Sequence, residues 1–275
     1  MDLNITTPHP DISDHSRWRL QLTVGDGGVR ANFYDAAAGR LFTYLEKSWR
    51  GDPADSLRKI EDAIYEDPAI LDDYTTGILI RPSRMIFVPD SRLGAESTEE
   101  DAGELLSLVD ASDALDVWSE SLGCGFTAVF STPAGVRDFL SRTFPTEDVH
   151  LALRPMLGHV LLKERGPGRK MWVHLDAGTL DVVAAADGFP VLINTREYQE
   201  AADAAYYIVH ALRAIGFDAA GTDVRLSGRE ELRKELMPML RRHMDCVSAA
   251  LLPTCINQAI AQGASLCEAL NTIAP

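Results

Sequence analysis

The chain has 275 residues, of which 46% are hydrophobic and 24% charged, and this length and composition fit a globular protein of two domains. Its formal net charge of −15 argues against nucleic acids and anionic membrane surfaces as partners, because proteins bind both largely through Lys and Arg. No run approaches the roughly 20 apolar residues of a membrane helix, residues 1–16 lack the basic and apolar regions of a signal peptide, and the four cysteines show no C-x-x-C spacing. We therefore predict a cytoplasmic protein without membrane insertion.

The first half of the chain has the pattern of three strands, a helix and a fourth strand. Residues 1–16, with two prolines and three aspartates, are predicted to be a flexible arm. Asp52 and Pro53 have the form of a helix start, and the helix that follows carries an apolar stripe. Alternating apolar residues predict four strands, at 17–24, 29–34, 41–48 and 76–80.

Further elements complete the first predicted domain, which covers residues 17–150. The segment 133–144 is a predicted helix with Val136, Phe139 and Leu140 facing inward. The other predicted elements are a short strand, a helix and two strands, at 84–89, 99–109, 114–119 and 126–131. Residues 151–169 are predicted to connect this domain to the second one.

The second predicted domain covers residues 170–275. Met171, Val173 and Leu175 alternate with polar or aromatic residues, which is the period of a half-buried strand. Ile208 and Leu212 lie at helical spacing and should face the sheet. The predicted order is three strands, a helix, a strand, a helix, a last strand and a final helix, at 170–176, 180–186, 189–195, 199–216, 222–227, 230–242, 244–251 and 255–273.

The two halves therefore show the same order of elements. Asp26-x-Gly28 lies 150 residues before Asp176-x-Gly178, and each falls at the first strand turn of its half. A duplicated domain explains this repeat economically. Chance is the alternative, because Asp-Gly turns are common in hairpins.

Three further motifs have a chemical interpretation beside a structural one. His174 and Asp176 share one face of a strand and could begin a metal site, although such a pair is more often an ordinary hydrogen-bonded one. Cys124 between two glycines suggests a reactive thiol, but the segment does not open a helix and is more often a plain turn. Tyr206 and Tyr207 could form an interaction patch; we expect one ring in the core and the other half-buried.

The repeated order of elements resembles the actin-like ATPase superfamily. The residues that carry this resemblance lie in the second half: the Asp176-Ala-Gly-Thr179 turn, Asn194-Thr-x-x-Tyr198, the stretch Asp203–Tyr207, and Val224-x-Leu-Ser-Gly228. The resemblance covers about 17–252 and is greatest to a small uncharacterised bacterial family of that fold. It implies an α/β protein of two ribonuclease H-like halves, with mixed five-stranded sheets around a cleft.

The resemblance also implies where a nucleotide would bind. Two glycine-containing turns would cradle the phosphates through backbone N–H groups, and a Gly-Gly pair would let the adenosine lie against bare backbone. Matching positions are Asp26, Gly27 and Gly28 in the first turn, Asp176, Gly178 and Thr179 in the second, and Ser227 and Gly228 at the adenosine.

Several positions depart from the pattern of an active ATPase. Ser227 stands where a glycine is expected. The second-half helix, where relatives often have a ribose-contacting lysine, has only Arg213 near its far end. The helix 133–144 offers Asp138 but no acid near its start to activate water.

We therefore expect a non-catalytic scaffold with the actin-like fold, without catalytic or metal-binding residues and without a cofactor, whose partner is another protein. The alternative is a nucleotide-binding switch or weak ATPase that binds ATP with magnesium in the cleft. In that cleft Asp26 and Asp176 would face each other from equivalent turns.

Overall fold

The computed structural model describes residues 3–6, 11–49, 55–82, 84–92, 99–107, 115–163, 166–176 and 178–273. The chain divides into two compact units, of which the first comprises residues 1–154 with 271–275 and the second residues 155–270. No helix within the described ranges has the length and hydropathy needed to cross a membrane.

The first unit contains, among its described residues, a six-stranded sheet, a three-stranded sheet, three α-helices and a short 3₁₀ helix at Pro68–Ile70. The strands are β1 Leu3–Thr6, β2 Trp18–Gly25, β3 Gly28–Asp35, β4 Arg40–Ser48, β5 Thr75–Arg81, β6 Arg84–Pro89, β7 Leu115–Ser121, β8 Phe126–Pro133 and β9 Val149–Leu151. The helices are α1 Ser56–Tyr65, α2 Glu99–Ser107 and α3 Val136–Thr143.

The large sheet of this unit has the strand order β1-β4-β3-β2-β5-β9. Strands β2, β3 and β4 form an antiparallel meander, while β5 runs parallel to β2, and β9 parallel to β5. Inward positions on β2, α1 and α3 are buried, as the sequence predicts; they include Trp18, Leu20, Leu22, Ile60, Ile64, Val136, Phe139 and Leu140. The small sheet has the order β6-β8-β7, and Val129 and Leu106 of α2 form its core.

The second unit repeats the strand order of the first. Its strands are β10 Arg169–Asp176, β11 Thr179–Ala186, β12 Phe189–Glu197, β13 Thr222–Gly228 and β14 Val247–Ala249. Their order is β12-β11-β10-β13-β14, with an antiparallel meander followed by two parallel strands, which matches β4-β3-β2-β5-β9. Its helices are α5 Ala201–Ala214, α6 Glu230–Leu240 and α7 Thr254–Ala261. Two more helices, α4 Arg154–Gly158 and α8 Leu266–Ile273, each have residues in both units.

Helix α5 packs its apolar stripe against this second sheet. Ala204, Ile208 and Leu212 are buried beside strand residues such as Val173, which confirms the predicted orientation of the helix. The prediction for the tyrosine pair is wrong, because Tyr206 is 64% exposed and stacks on His210, while Tyr207 only partly enters the core.

The first sheet has six strands rather than the predicted five because β1 pairs antiparallel with β4 along its outer edge. Leu3 and Ile5 alternate with polar residues, as a strand requires. The segment 1–16, predicted as a flexible arm, supplies this strand. In the second unit the equivalent position beside β12 holds no strand from the described residues.

The structure adds elements to one segment and divides another predicted element in two. The connecting segment 151–169 contains α4 and one turn of π-helix at His159–Lys163. The predicted single final helix is two helices, because Ser265 caps α8: its hydroxyl accepts the Glu268 N–H at 3.2 Å, and the Glu268 carboxylate accepts the Ser265 N–H at 2.7 Å.

Candidate functional site

The turn between β2 and β3 holds three of the predicted phosphate-binding residues. Strand pairing ends at Gly25 opposite Gly28, so Asp26 and Gly27 form the loop. The Asp26 carbonyl accepts hydrogen bonds from the Trp49 indole at 2.9 Å and the Ser56 hydroxyl at 3.1 Å. These contacts fasten the turn to the end of β4 and the start of α1.

The turn between β10 and β11 is held by Tyr198. Its N–H donates to the Gly178 carbonyl at 2.9 Å, and its hydroxyl donates to the Asp176 carbonyl, also at 2.9 Å. Burial raises the pKa of the Tyr198 phenol, which therefore stays a donor. Gly178 has a φ of +80°, a conformation that favours glycine, so the turn requires the residue type found there.

The two turns are equivalent, but their aspartates are not. In the second turn Asp176 is the last paired residue, opposite Thr179, so it corresponds to Gly25 rather than to Asp26. Asp26 instead lies in the loop. Aligning the two halves by strand pairing therefore places Asp176 one position before the equivalent of Asp26. The Asp176 side chain is buried.

Gly228 lies at the predicted adenosine position, where β13 approaches β10 closely. It pairs with Leu175 and has a φ of +110°. A Cβ atom at Gly228 would lie 2.1 Å from the Leu175 carbonyl oxygen, which no side chain can tolerate. The contact between two strands of the sheet therefore explains this glycine without a ligand.

Ser227 belongs to a buried hydrogen-bonded chain that begins at α8. The Leu266 N–H donates to His174 Nε2 at 3.1 Å, and His174 Nδ1 lies 3.2 Å from the Ser227 hydroxyl. Because Nε2 accepts, Nδ1 carries the proton and donates to Ser227, whose hydroxyl donates to the Val173 carbonyl at 3.3 Å. These hydrogen bonds position the first turn of α8 on the sheet.

This geometry argues against a metal site at His174 and Asp176, because both ring nitrogens make hydrogen bonds within the fold. One of these bonds joins His174 to Ser227, 53 residues away in the sequence. Over the described parts of the chain, no three His, Cys, Asp or Glu side chains are grouped so as to hold a metal ion.

Three further residues singled out in the sequence, Cys124, Arg213 and Asp138, lie outside the two glycine-containing turns. Cys124 is in the turn between β7 and β8, as predicted, and burial raises the pKa of its thiol, which disfavours a reactive thiolate. Arg213 is in the last turn of α5. Helix α3 begins at Val136, three residues later than predicted, so Asp138 lies in its first turn; the expectation of no acid near this helix start is wrong.

A pocket of about 270 Å³ lies at the carboxyl end of β10, between the start of α5 and the first turns of α6. We call it the Tyr198 pocket; its lining residues are Leu175, Tyr198, Gln199, Glu200, Ala201, Ala204, Leu232, Glu235 and Leu236. Ligands of open α/β sheets commonly bind at the carboxyl ends of strands. Leu175, Ala204 and Leu236 are buried, whereas Glu200 and Glu235 are exposed.

No pattern in the sequence marks most of these residues as a site. Leu232 and Glu235 are three apart on α6 and so share a face, but nothing local to α6 indicates what that face meets. The resemblance did include Tyr198 among its motifs, and this residue both lines the pocket and donates a hydrogen bond to the Asp176 carbonyl.

Comparisons with known proteins agree with this architecture. Among solved structures, the chain is similar to a Bacteroides thetaiotaomicron protein described as having an actin-like ATPase fold and unknown function, with a TM-score of 0.70 and 18% identity over 88% of this chain and 94% of that one. It is also similar to a chain of the PilM–PilN type IV pilus biogenesis complex, with a TM-score of 0.53 and 13% identity over 94% of this chain and 99% of that one. A search of curated proteins finds no match.

The structural likeness confirms the predicted actin-like ATPase fold. Residues 8–247 match the model of the family described as Protein of unknown function (DUF3822). Since this match spans most of the sequence, the chain belongs to the DUF3822 family.

Proposed function

We propose that this protein is a non-catalytic bacterial scaffold that uses the actin-like fold to bind another protein in the cytoplasm. The observation that carries this proposal is the buried chain of hydrogen bonds from Leu266 through His174 to Ser227. Through these bonds the Ser227 hydroxyl, which lies at the expected adenosine position, helps to anchor α8. Bare glycine backbone, which the nucleotide-binding pattern requires, is absent at Ser227.

Charge supports the same proposal. Glu200 and Glu235 are exposed at the Tyr198 pocket, and a carboxylate repels a phosphate group at close range. The name of one structural neighbour, the PilM–PilN complex, describes an assembly of that protein with a protein partner. A protein partner for the present chain follows as a proposal, with no cofactor needed for its role.

A nucleotide-binding switch is the second candidate, and one observation favours it. Gly27 and Gly178 stand at matching loop positions of the two turns, so backbone N–H groups there could bind an anion such as a phosphate. This candidate requires ATP with magnesium and a cleft between two duplicated ribonuclease H-like halves.

Calorimetry with ATP and magnesium distinguishes the two candidates. We expect no saturable heat at micromolar concentrations and no phosphate release, because each missing buried contact costs about 1–3 kcal/mol of affinity. A saturable micromolar isotherm that Gly178→Val abolishes would overturn the scaffold proposal and favour the switch.

A further inference from the structure

We infer that the Tyr198 pocket receives one apolar side chain from a positively charged segment of the partner protein. This inference rests on the proposed scaffold function and names the chemistry of its contact. It concerns a different ligand from the nucleotide of the alternative function, and it depends on the shape, rigidity and charge of the pocket.

The size and lining of the pocket suit a single side chain. Its volume of about 270 Å³ lies below the roughly 300–1,000 Å³ of sites for drug-sized ligands. Leu175, Ala204 and Leu236 make its buried surface apolar, and Leu232 adds a partly buried wall. An aromatic or large aliphatic side chain would remove this surface from water, as the central residues of protein interfaces do.

The walls of the pocket are held in place before any partner binds. Two hydrogen bonds fix Tyr198 to the β10–β11 turn. The Asp203 carboxylate accepts the N–H groups of Gln199 and Glu200 at 3.2 and 3.1 Å, which fixes the rim at the start of α5. A preformed pocket loses little conformational entropy on binding, so a single inserted side chain can contribute affinity.

The negative charge at the rim of the pocket favours basic residues beside the inserted side chain. Glu200 and Glu235 are the ionisable residues that line the pocket, besides the Tyr198 phenol, and both are exposed. Arg229 lies within electrostatic range of Tyr198 but does not line the pocket, and the Arg233 guanidinium donates to the Gly228 carbonyl at 3.0 Å. Lys or Arg on either side of the inserted residue would complement the two carboxylates, in a protein whose net charge is −15.

Three blocked tripeptides test this inference on the full chain by NMR titration. The probes are acetyl-Lys-Phe-Lys-amide, its Glu-Phe-Glu counterpart with opposite charge, and Lys-Ala-Lys without the ring. We expect saturable shifts of amides lining the pocket, such as those of Ala201 and Leu232, with the first peptide only. The other two should bind at least about tenfold more weakly, because each lacks one of the two complementary features.

Matched variants show whether the pocket is responsible. Glu235→Lys should weaken binding of the Lys-Phe-Lys peptide about tenfold. Glu61→Lys, which makes the same charge change on α1 of the first unit, should leave its affinity unchanged. The inference is overturned if no pocket amide shifts up to about 10 mM peptide, if all three peptides bind alike, or if both variants weaken binding equally.

The outcome is separable from that of the proposed function. Binding of ATP would remove the scaffold proposal whatever the peptides do. Absence of both ATP binding and peptide binding would leave the scaffold proposal standing and overturn only the assignment of the pocket.

Discussion

Gly228 shows how far a single residue can be constrained by its own sheet. We predict that Gly228→Ala costs at least about 3 kcal/mol of unfolding free energy, because the new Cβ would meet the Leu175 carbonyl and the φ of +110° is unfavourable for alanine. Urea unfolding measures this loss. Gly216→Ala is the matched control: its φ is also positive but a Cβ meets nothing within 4 Å, so it should cost only about 1–2 kcal/mol. Equal losses would contradict the close strand contact.

Asp35 should make the stability of the protein depend on pH in acid. The hydrogen bonds from Arg17, followed by those from the Ala37 and Ala38 N–H groups, lower the pKa of Asp35 to about 2. A lowered folded-state pKa gives stability that is present above the unfolded value near 4 and disappears as the pH falls towards about 2.

Replacing Asp35 by Asn should therefore reduce the loss of stability between pH 5 and pH 2 by about 1–2 kcal/mol. Urea unfolding of both proteins across this range measures the difference. Parallel profiles of stability against pH for the two proteins would show that the pKa of Asp35 is not lowered in the folded state.

At the scale of elements, helix α5 depends on its buried stripe. Leu212→Ala should cost about 2–5 kcal/mol, since it empties a buried aliphatic position between the helix and the second sheet. The neighbouring Arg213→Ala, on the exposed face, should change the stability by less than about 0.5 kcal/mol. An unchanged unfolding midpoint for Leu212→Ala would mean that another face of the helix meets the sheet.

Most elements could be predicted because their signals are local. The alternation of Met171, Val173 and Leu175 and the helical spacing of Ile208 and Leu212 need only neighbouring residues. The division of the last helix was also visible in principle, as Ser265-x-x-Glu268 has the form of a capping box. Strand β1 was missed because the prolines after it outweighed a four-residue alternation.

The candidate site was less predictable because it depends on contacts between distant residues. His174 meets Ser227 through the parallel register of β10 and β13, which no local pattern specifies. The Tyr198 pocket likewise combines the end of a strand with two helices. The order of elements was enough to predict the actin-like fold, but not which side chains its sheet brings together.

At the scale of the whole molecule, the end of the chain belongs to the first unit. The Asn271 side chain donates to Gln21 Oε1 at 2.7 Å, and Gln21 is buried. We predict that Asn271→Ala lowers the unfolding free energy by about 1–3 kcal/mol, because the buried Gln21 Oε1 would lose a hydrogen-bond donor. Asn257→Ala removes an exposed side-chain hydrogen bond from α7 and is the control, with an expected cost below about 1 kcal/mol. The two variants would unfold alike if the end of the chain added nothing to the first unit.

Strand β12 is the outer strand of the second sheet, and no described residues pair with its outer edge. This edge bears on self-association. Unpaired N–H and C=O groups along such an edge can template the growth of intermolecular sheets. Pro190 lacks an N–H, the pairing with β11 is irregular between Ala184 and Ala185, and Arg196 and Glu197 are exposed and charged. Strand β12 thus carries three features that hinder the addition of another strand and the growth of a fibril along this edge.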